Sequence, residues 1–527
     1  MAPTVKHGQG TETKPVVLRK LGINETYQLA MYLLDQYRGT TLSCRYDIPP
    51  QLAESQAQLE NAVKVAVVDI IMRHPMLQVS MINASSKSPS WIQLESLDLT
   101  QHIKWVDLMG HGFENMVKET FSTQLDERFP DLSILQPGWK ITIIRQGGTP
   151  RPSMEVILTW NHPWFDAMGA KVFHEDLIKT LNDHNGAHEQ TTAGLDGNIL
   201  KLPQQAPLLP TPIEALTDLP VGVKVLAKAL WEDVRPQFLN RDITWATWCP
   251  IRPSPYRTQY RAFWIDQASV SAILAICRQN KTTITGLING LALIAFSLRL
   301  DTAAAPGFQS STIVDHRRNL PPAASEDAPW IRSDRAVSNY VTQCLHRWDT
   351  DLATRIRSKL PTSTSKAGGV DLSAELQSEL WAASAQNRLE IAQKLETGLQ
   401  NDLVGLFKYV TDWQQTMGAM AKKKRQFSWL VTNIGVLDPS LSTASNGGGD
   451  DSSGSKPDDR EEWSISRAQF GLSTEVPSAA IAFSPVSVAD RGMSVGASWA
   501  DCAVEETLGD CIIADLERWL AQLATQS

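Results

Sequence analysis

The sequence predicts an α/β protein made of two large domains or two tightly joined halves, and three observations carry that reading. A chain of 527 residues is too long for one ordinary hydrophobic core. Short apolar strand patterns and longer stretches of helical period follow one another along the chain. An aperiodic stretch rich in Gly, Gln, Pro and Thr, Asn182–Pro220, then interrupts the pattern. Residues 1–195 are read as the N-terminal half, 196–220 as the crossover and 221–527 as the C-terminal half.

In the first half, Leu21–Arg38 has Tyr27, Met31, Leu34 and Tyr37 at helical spacing, and Thr40–Tyr46 reads as a strand. Gln51–Arg73 is the next helix, with Leu59, Val63, Ala66, Val67 and Ile70 on one face. Pro75 stops it, and Met76–Ile82 is the following strand. His74, between Arg73 and Pro75, is expected to pair with the last helical carbonyls. Trp139–Arg145 and Glu155–Trp160 flank a Gly- and Pro-rich turn and form a predicted hairpin.

The second half opens with helical Val221–Val234 and a strand at Tyr260–Ile265. Gln267–Asn280 and the very apolar Thr285–Leu300 are helices, and Ser311–Leu320 is a strand running into charge. Leu372–Leu399 and Leu403–Lys424 are long predicted helices, and Phe427–Leu437 is a strand. Residues 439–460 are low-complexity and expected to be a disordered loop. Strands at Ala479–Phe483 and Met493–Trp499 and a helix at about Ile512–Leu523 close the chain.

Composition limits the function. Net charge is −8 and the pI about 5.8, so bulk attraction to nucleic acid is not expected. The six Cys are scattered without a CxxC pair, against a zinc site or a disulfide scaffold. The start of the chain has no apolar signal region, and Leu287–Leu298, at 12 residues, is too short to span a bilayer. A cytoplasmic monomer without an integral membrane segment is expected. Seventeen Trp suggest an aromatic-lined tunnel.

The chemistry centres on Met154–Leu181. Val156, Leu158, Trp160 and His162 share one strand parity, and Phe173, Leu177 and Leu181 recur as a helical stripe after Gly169. His162 and Asp166 therefore lie in the turn between a strand and a helix. By itself this is a turn histidine and a helix-capping Asp, or the start of a general base. His174 falls near the face of Lys171 and Lys179, away from the apolar stripe, and a metal set of His162, Asp166 and His174 is not favoured. No Gly-x-Ser-x-Gly elbow or Cys–His context offers another nucleophile.

His162-x-x-x-Asp166 resembles the HxxxD motif of the acyltransferases related to chloramphenicol acetyltransferase, a superfamily with plant BAHD enzymes and peptide-synthetase condensation domains. Further matches follow in family order: Arg73-His74-Pro75 after a helix, Val314-Asp315-His316-Arg317, Ser338-Asn339-Tyr340 with Ser338 in place of Gly, and Thr432-Asn433-Ile434-Gly435 with Thr432 in place of Ser. The BAHD D-F-G-W-G motif is absent, and Asn161 and Ala167 replace the His and Gly that flank the condensation-domain motif. The chain is most similar to fungal alcohol acetyltransferases and trichothecene acetyltransferases.

The resemblance implies two chloramphenicol-acetyltransferase-like halves, each a mixed sheet covered by helices, with an active-site tunnel between them. It implies His162 as general base and Asp166 as a structural residue held by Arg317 of the other half, with Arg318 as the fallback partner. Thr432, Asn433 or the backbone near Gly169 would stabilise the oxyanion. Trp164, unusual inside the motif, would narrow the tunnel or stack on the acceptor. Lys422, Lys423, Lys424 and Arg425 would meet the phosphates of coenzyme A, or form a solvated helix end.

No bound cofactor is expected. Acetyl-CoA or another acyl-CoA is a co-substrate, and the acceptor is a hydrophobic secondary-metabolite alcohol, a terpenoid or polyketide. The competing readings are a non-catalytic or carrier-protein-dependent condensation-like domain, and an amide-forming or cyclising reaction in the same tunnel.

Overall fold

The computed structural model describes residues 15–109, 112–147, 152–184, 193–234, 242–321, 333–361, 369–438 and 462–526. The low-complexity segment at 439–460 lies outside the described residues.

Two larger sheets organise the chain. The first has five strands in the order Ser464–Leu472, Thr40–Asp47, Ser153–Trp160, Trp139–Gly147, Ile103–Met109. Its pairs are antiparallel except the last, so the sheet is mixed. The predicted hairpin is present, with Ile141 opposite Leu158 and Ile143 opposite Val156. Every residue of Ser153–Trp160 is buried, as a central strand covered on both faces requires.

The second sheet runs Thr258–Asp266, Gly492–Ala500, Ile481–Val488, Trp429–Val431, Phe308–Asp315, Val341–Trp348, and Val436–Leu437 also pairs with Ile481–Val488. Parallel pairing of Trp429–Val431 with both neighbours makes this sheet mixed as well.

Helices Gln56–Arg73 and Ala167–Asp183 share the first core with Leu42, Tyr46, Trp139 and Leu158. Ile284–Arg299 and Glu506–Ala524 share the second with Phe308, Trp429 and Trp499. Ile284–Arg299 is capped by Thr283, whose Oγ1 accepts from the Gly286 N–H at 3.2 Å. Every residue from Gly286 to Ser297 is buried, so its unbroken hydrophobicity belongs to a core helix. Asn289 is accommodated there because its Oδ1 accepts from Trp429 Nε1 at 2.9 Å. No single described helix is long and apolar enough to cross a membrane; only the pair Gln267–Gln279 and Ile284–Arg299 has the composition, and it is bent by 88°.

Several elements differ from the sequence reading. The predicted helix Leu403–Lys424 is two short ones, Leu403–Phe407 and Trp413–Met420, each started by its own Asp cap, Asp402 and Asp412. Pro75–Leu77 is a 3-10 turn, so that strand begins only at Val79. The strand Ser464–Leu472 was not anticipated, and it lies in the first sheet although it belongs to the segment read as the C-terminal half.

Candidate active site

The strand that was expected to carry His162 ends at Trp160, and residues 161–166 form a turn. Val156, Leu158 and Trp160 stay in the first core, while His162 leaves their row and lines a cavity of about 110 Å³. Internal bonds shape the turn: Asn161 N–H donates to the Gly138 carbonyl at 2.8 Å, Trp164 N–H to the Asn161 carbonyl at 3.1 Å, and Trp160 Nε1 to the Phe165 carbonyl at 2.8 Å.

Asp166 closes it. Its Oδ1 accepts from Gly169 N–H at 3.0 Å, so it is the N-cap of Ala167–Asp183. The same carboxylate takes a two-pronged contact from Arg317, with Nη1 to Oδ2 and Nη2 to Oδ1 both at 2.8 Å. Tyr340 N–H donates to Oδ2 at 2.9 Å. Arg317 is held in turn by Asp315 Oδ1 at 2.8 Å and the carbonyls of Ala336 and Ser338. Burial opposes the Arg317 charge, but the carboxylates of Asp166 and Asp315 outweigh it and raise its pKa. Asp166 N–H also donates to the Ser338 carbonyl at 3.0 Å, so the motif turn is stitched to the second half by backbone and side chain.

His162 is buried. Asn339 Nδ2 lies 3.1 Å from Nδ1 and donates to the His162 carbonyl at 3.2 Å. Burial lowers the His162 pKa below its ordinary value, against the opposing charge of Asp166 and a contact with its own carbonyl. The imidazole is therefore neutral near pH 7. The Tyr37 ring stands 5.7 Å from the imidazole.

The cavity draws on both halves. Tyr27, Tyr37 and His162 come from the first, Ile313, Leu430 and Thr432 from the second, and Phe470 and Glu475 from the returning strand and its exit. No Trp lines it. Seven Trp, at positions 91, 139, 160, 164, 429, 499 and 519, are instead among the largest fully buried side chains. These seven Trp fill cores, and tyrosine and phenylalanine supply the aromatic lining.

The remaining candidates separate clearly. Trp164 does not face the cavity: it is 1 % exposed, packs edge-on against Trp91 and donates Nε1 to the Val79 carbonyl at 3.0 Å. Only a glycine at 138 leaves room for that ring, since a Cβ there would come within 2.3 Å of it. Gly169 N–H is already bound to Asp166 and cannot serve an oxyanion.

Thr432 and Asn433 do line the cavity, but Asn433 Nδ2 donates to Thr285 Oγ1 at 3.1 Å and its Oδ1 accepts from Gly435 N–H at 2.8 Å. Arg425 is buried rather than solvated. Its guanidinium donates to the carbonyls of Cys249, Ser478 and Ala479, so it cannot reach a coenzyme A phosphate. Lys422, Lys423 and Lys424 follow the helix Trp413–Met420 and are not part of the cavity wall.

His74 pairs with Asp176, at 2.7 Å from Nε2 to Oδ2, rather than with helix carbonyls through its side chain. Burial would raise the Asp176 carboxyl, but His74 and the guanidiniums of Arg335 and Arg73 outweigh it and hold its pKa at about 2. His174, expected near the lysine face, is fully buried, with Nδ1 2.9 Å from Tyr46 Oη, and burial pushes its pKa down to about 4. Among the described residues no group of three or more His, Cys, Asp or Glu side chains is arranged to hold a metal ion.

Asn339, Asp315, Tyr37 and Glu475 were not assigned roles from sequence. The first two sit inside motifs already quoted, Ser338-Asn339-Tyr340 and Val314-Asp315-His316-Arg317, which was the available signal. Glu475 lies on a connection with no motif.

Comparison with known proteins agrees with this architecture. The family model described as alcohol acetyltransferase matches residues 126–509. The chain is 24% identical to the probable alcohol acetyltransferase FCK4 of Fusarium pseudograminearum, over 97% of this chain and 96% of that one. It is 20% identical to the probable alcohol acetyltransferase crmB of Aspergillus fumigatus, over 92% and 95%. In structure it resembles the TRI3 trichothecene 15-O-acetyltransferase of Fusarium sporotrichioides, with a TM-score of 0.64 at 14% identity, covering 98% of this chain and 96% of that one. The condensation domain of the Monacolin K polyketide synthase MokA has a TM-score of 0.56 at 8% identity, covering 97% and 98%. The fold is thus the two-halved one of chloramphenicol-acetyltransferase-like and condensation-domain proteins, and the extent of the family match shows that this chain is an enzyme of the alcohol acetyltransferase family.

Proposed function

We propose that the protein transfers an acetyl group from acetyl-CoA to a hydroxyl of a hydrophobic secondary-metabolite alcohol, with His162 as general base in a ternary complex. One observation carries the reading: a neutral, buried His162 faces a cavity between the halves on a turn that Arg317 clamps from the other side. With Nδ1–H directed at the residue's own carbonyl, Nε2 is the unprotonated nitrogen that takes the hydroxyl proton. The alkoxide oxygen then bonds to the thioester carbonyl carbon and forms a tetrahedral oxyanion. Collapse breaks the carbon–sulfur bond, and the departing thiolate takes the proton back from the imidazolium. No acyl-enzyme is required. Thr432, on the cavity wall and with its neighbour Asn433 already engaged, is the better candidate to donate to the oxyanion.

The lining of Tyr27, Tyr37, Phe407, Leu430, Phe470 and Leu472 supports an apolar acceptor such as a terpenoid or polyketide alcohol. Six free cysteines, four of them buried, support a reducing cytoplasmic setting, and a site assembled within one chain supports a working monomer. A thiol-release assay with acetyl-CoA and a panel of apolar alcohols tests the reaction. Release that requires a carrier protein or an amine, and never an alcohol, would overturn it in favour of a condensation-like or amide-forming activity.

Two further outcomes follow. Because His162 is pushed below its usual 6.5, the acid limb of kcat/KM against pH should have its midpoint below 6.5. A midpoint above 7 would show that another group titrates. Trp164→Phe removes a hydrogen bond inside the core, so it should lower stability by about 1–3 kcal/mol while the acceptor KM stays as in the wild type. A large KM change with unchanged melting would place Trp164 in the acceptor site after all.

A further inference from the structure

Glu475 lies on the connection, residues 473–480, that leads from the last strand of the first sheet to the Ile481–Val488 strand of the second. It lines the same cavity as His162. Tyr27 Oη donates to its Oε1 at 2.9 Å, and the Ser478 hydroxyl stands beside the carboxyl. Among the described residues no lysine, arginine or histidine pairs with it. Burial raises its pKa, against the hydrogen bond from Tyr27. A carboxyl placed in a mostly apolar cavity without a counter-charge costs stability, so its presence there calls for a partner.

Most other polar side chains of the cavity are already engaged within the protein. Asn24 donates to the Val341 carbonyl, Thr40 pairs with Tyr37, and Asp166, Asp315 and Asn339 belong to the clamp around His162. Gln28 is different. It lies on the same helix as Tyr27, lines the cavity, and its Oε1 is buried without a hydrogen-bond partner. The cavity wall thus carries two acceptors that its own side chains do not fully use, the Glu475 carboxyl, with one donor from Tyr27, and the Gln28 carbonyl, with none. A smaller space of about 20 Å³ shares Tyr37, Leu430, Leu472 and Glu475 with the main cavity and is otherwise lined in part by Thr474 and Ser498, extending this polar wall.

We propose that Glu475, supported by Gln28, determines acceptor specificity by taking a hydrogen bond from a second donor group on the alcohol. The preferred acceptors are then apolar frameworks with one hydroxyl to be acetylated and a second hydroxyl or a protonated amine that reaches the carboxyl. The inference rests on the acetyl-transfer reading above. Tyr27 acts as a positioning residue: its hydroxyl holds Oε1 while its ring packs against Phe407 and Trp413 at 5.0 and 5.1 Å.

The test uses the full chain, acetyl-CoA and three acceptors on one apolar ring system: a mono-alcohol, the matching diol, and the analogue with a tertiary amine, which cannot itself be acetylated. In the wild type kcat/KM should favour at least one of the two-donor acceptors over the mono-alcohol. Glu475→Leu should lower that preference about ten- to a hundredfold, mainly through KM. Glu475→Gln, which keeps a carbonyl acceptor but loses the charge, should keep a diol preference within a few-fold and abolish an amine preference. Tyr27→Phe should weaken the preference less than Glu475→Leu.

An unchanged preference in Glu475→Leu, or in Tyr27→Phe should the first variant not fold, would overturn the assignment. So would a wild type that treats the three acceptors alike. That last result leaves the acetyl-transfer reading standing, whereas absence of thiol release with every alcohol would remove both.

Discussion

Replacing His162 by alanine should give a folded protein whose acetyl-CoA-dependent turnover falls by about 10²–10⁴-fold, the contribution of a positioned general base. The fold should survive because His162 contributes little to the core: it lines the cavity, and among the described residues its ring makes polar contacts with Asn339 and its own carbonyl. The loss should appear in kcat, since the proton moves only as the hydroxyl attacks. Single-turnover thiol release with saturating acetyl-CoA would measure it, beside a thermal melt. Near-normal turnover in a folded His162→Ala would dismiss His162 as the base and point to a group elsewhere on the cavity wall.

Arg317→Ala should have the largest effect on stability, about 3–5 kcal/mol, because it leaves a fully buried carboxylate without its charge partner. Gly169 and Tyr340 N–H would still donate to Asp166, but neither carries a charge. Activity should fall too, since the turn bearing His162 is pinned to the second half through this pair. Asp166→Asn should be smaller, because an amide retains the cap acceptor and leaves Arg317 with Asp315. The double variant should cost less than the two single costs added, as expected for residues in one network. Strict additivity in urea melts, or an Arg317→Ala protein with wild-type stability, would contradict a clamp between halves.

Much of this site could be read from residue order alone. Asp166 was expected as a helix cap or as the partner of an arginine across the halves, and one carboxylate does both because it has enough lone pairs for four donors. The apolar run at Leu287–Leu298 was legible as a buried helix because no exposed face interrupts it.

What failed has identifiable causes. Trp164 looked like a tunnel residue from its place inside the motif, but a turn reverses side-chain direction, and the ring went into the core against Gly138. Arg425 looked solvated because it ends a run of lysines, and nothing local reveals that three carbonyls from distant segments surround it. His174 was placed with lysines by helical period, yet Tyr46 and the Leu42 carbonyl, both on a neighbouring strand, supply the polar contacts that let it be buried. Glu475 belongs to no pattern, and only the assembled cavity gives it meaning.

The strand Ser464–Leu472 has a consequence for how the protein comes to be made. It covers the edge of Thr40–Asp47, and Ser464 meets Asp47 across 417 residues of chain. While the polypeptide is being synthesised, the first sheet must wait with that edge open until the strand Ser464–Leu472 has left the ribosome. Such long-range pairing slows folding and leaves an unpaired edge able to recruit other chains. Ser464–Leu472 thus acts as a latch that completes the first sheet and leads into the segment that carries Glu475 to the cavity.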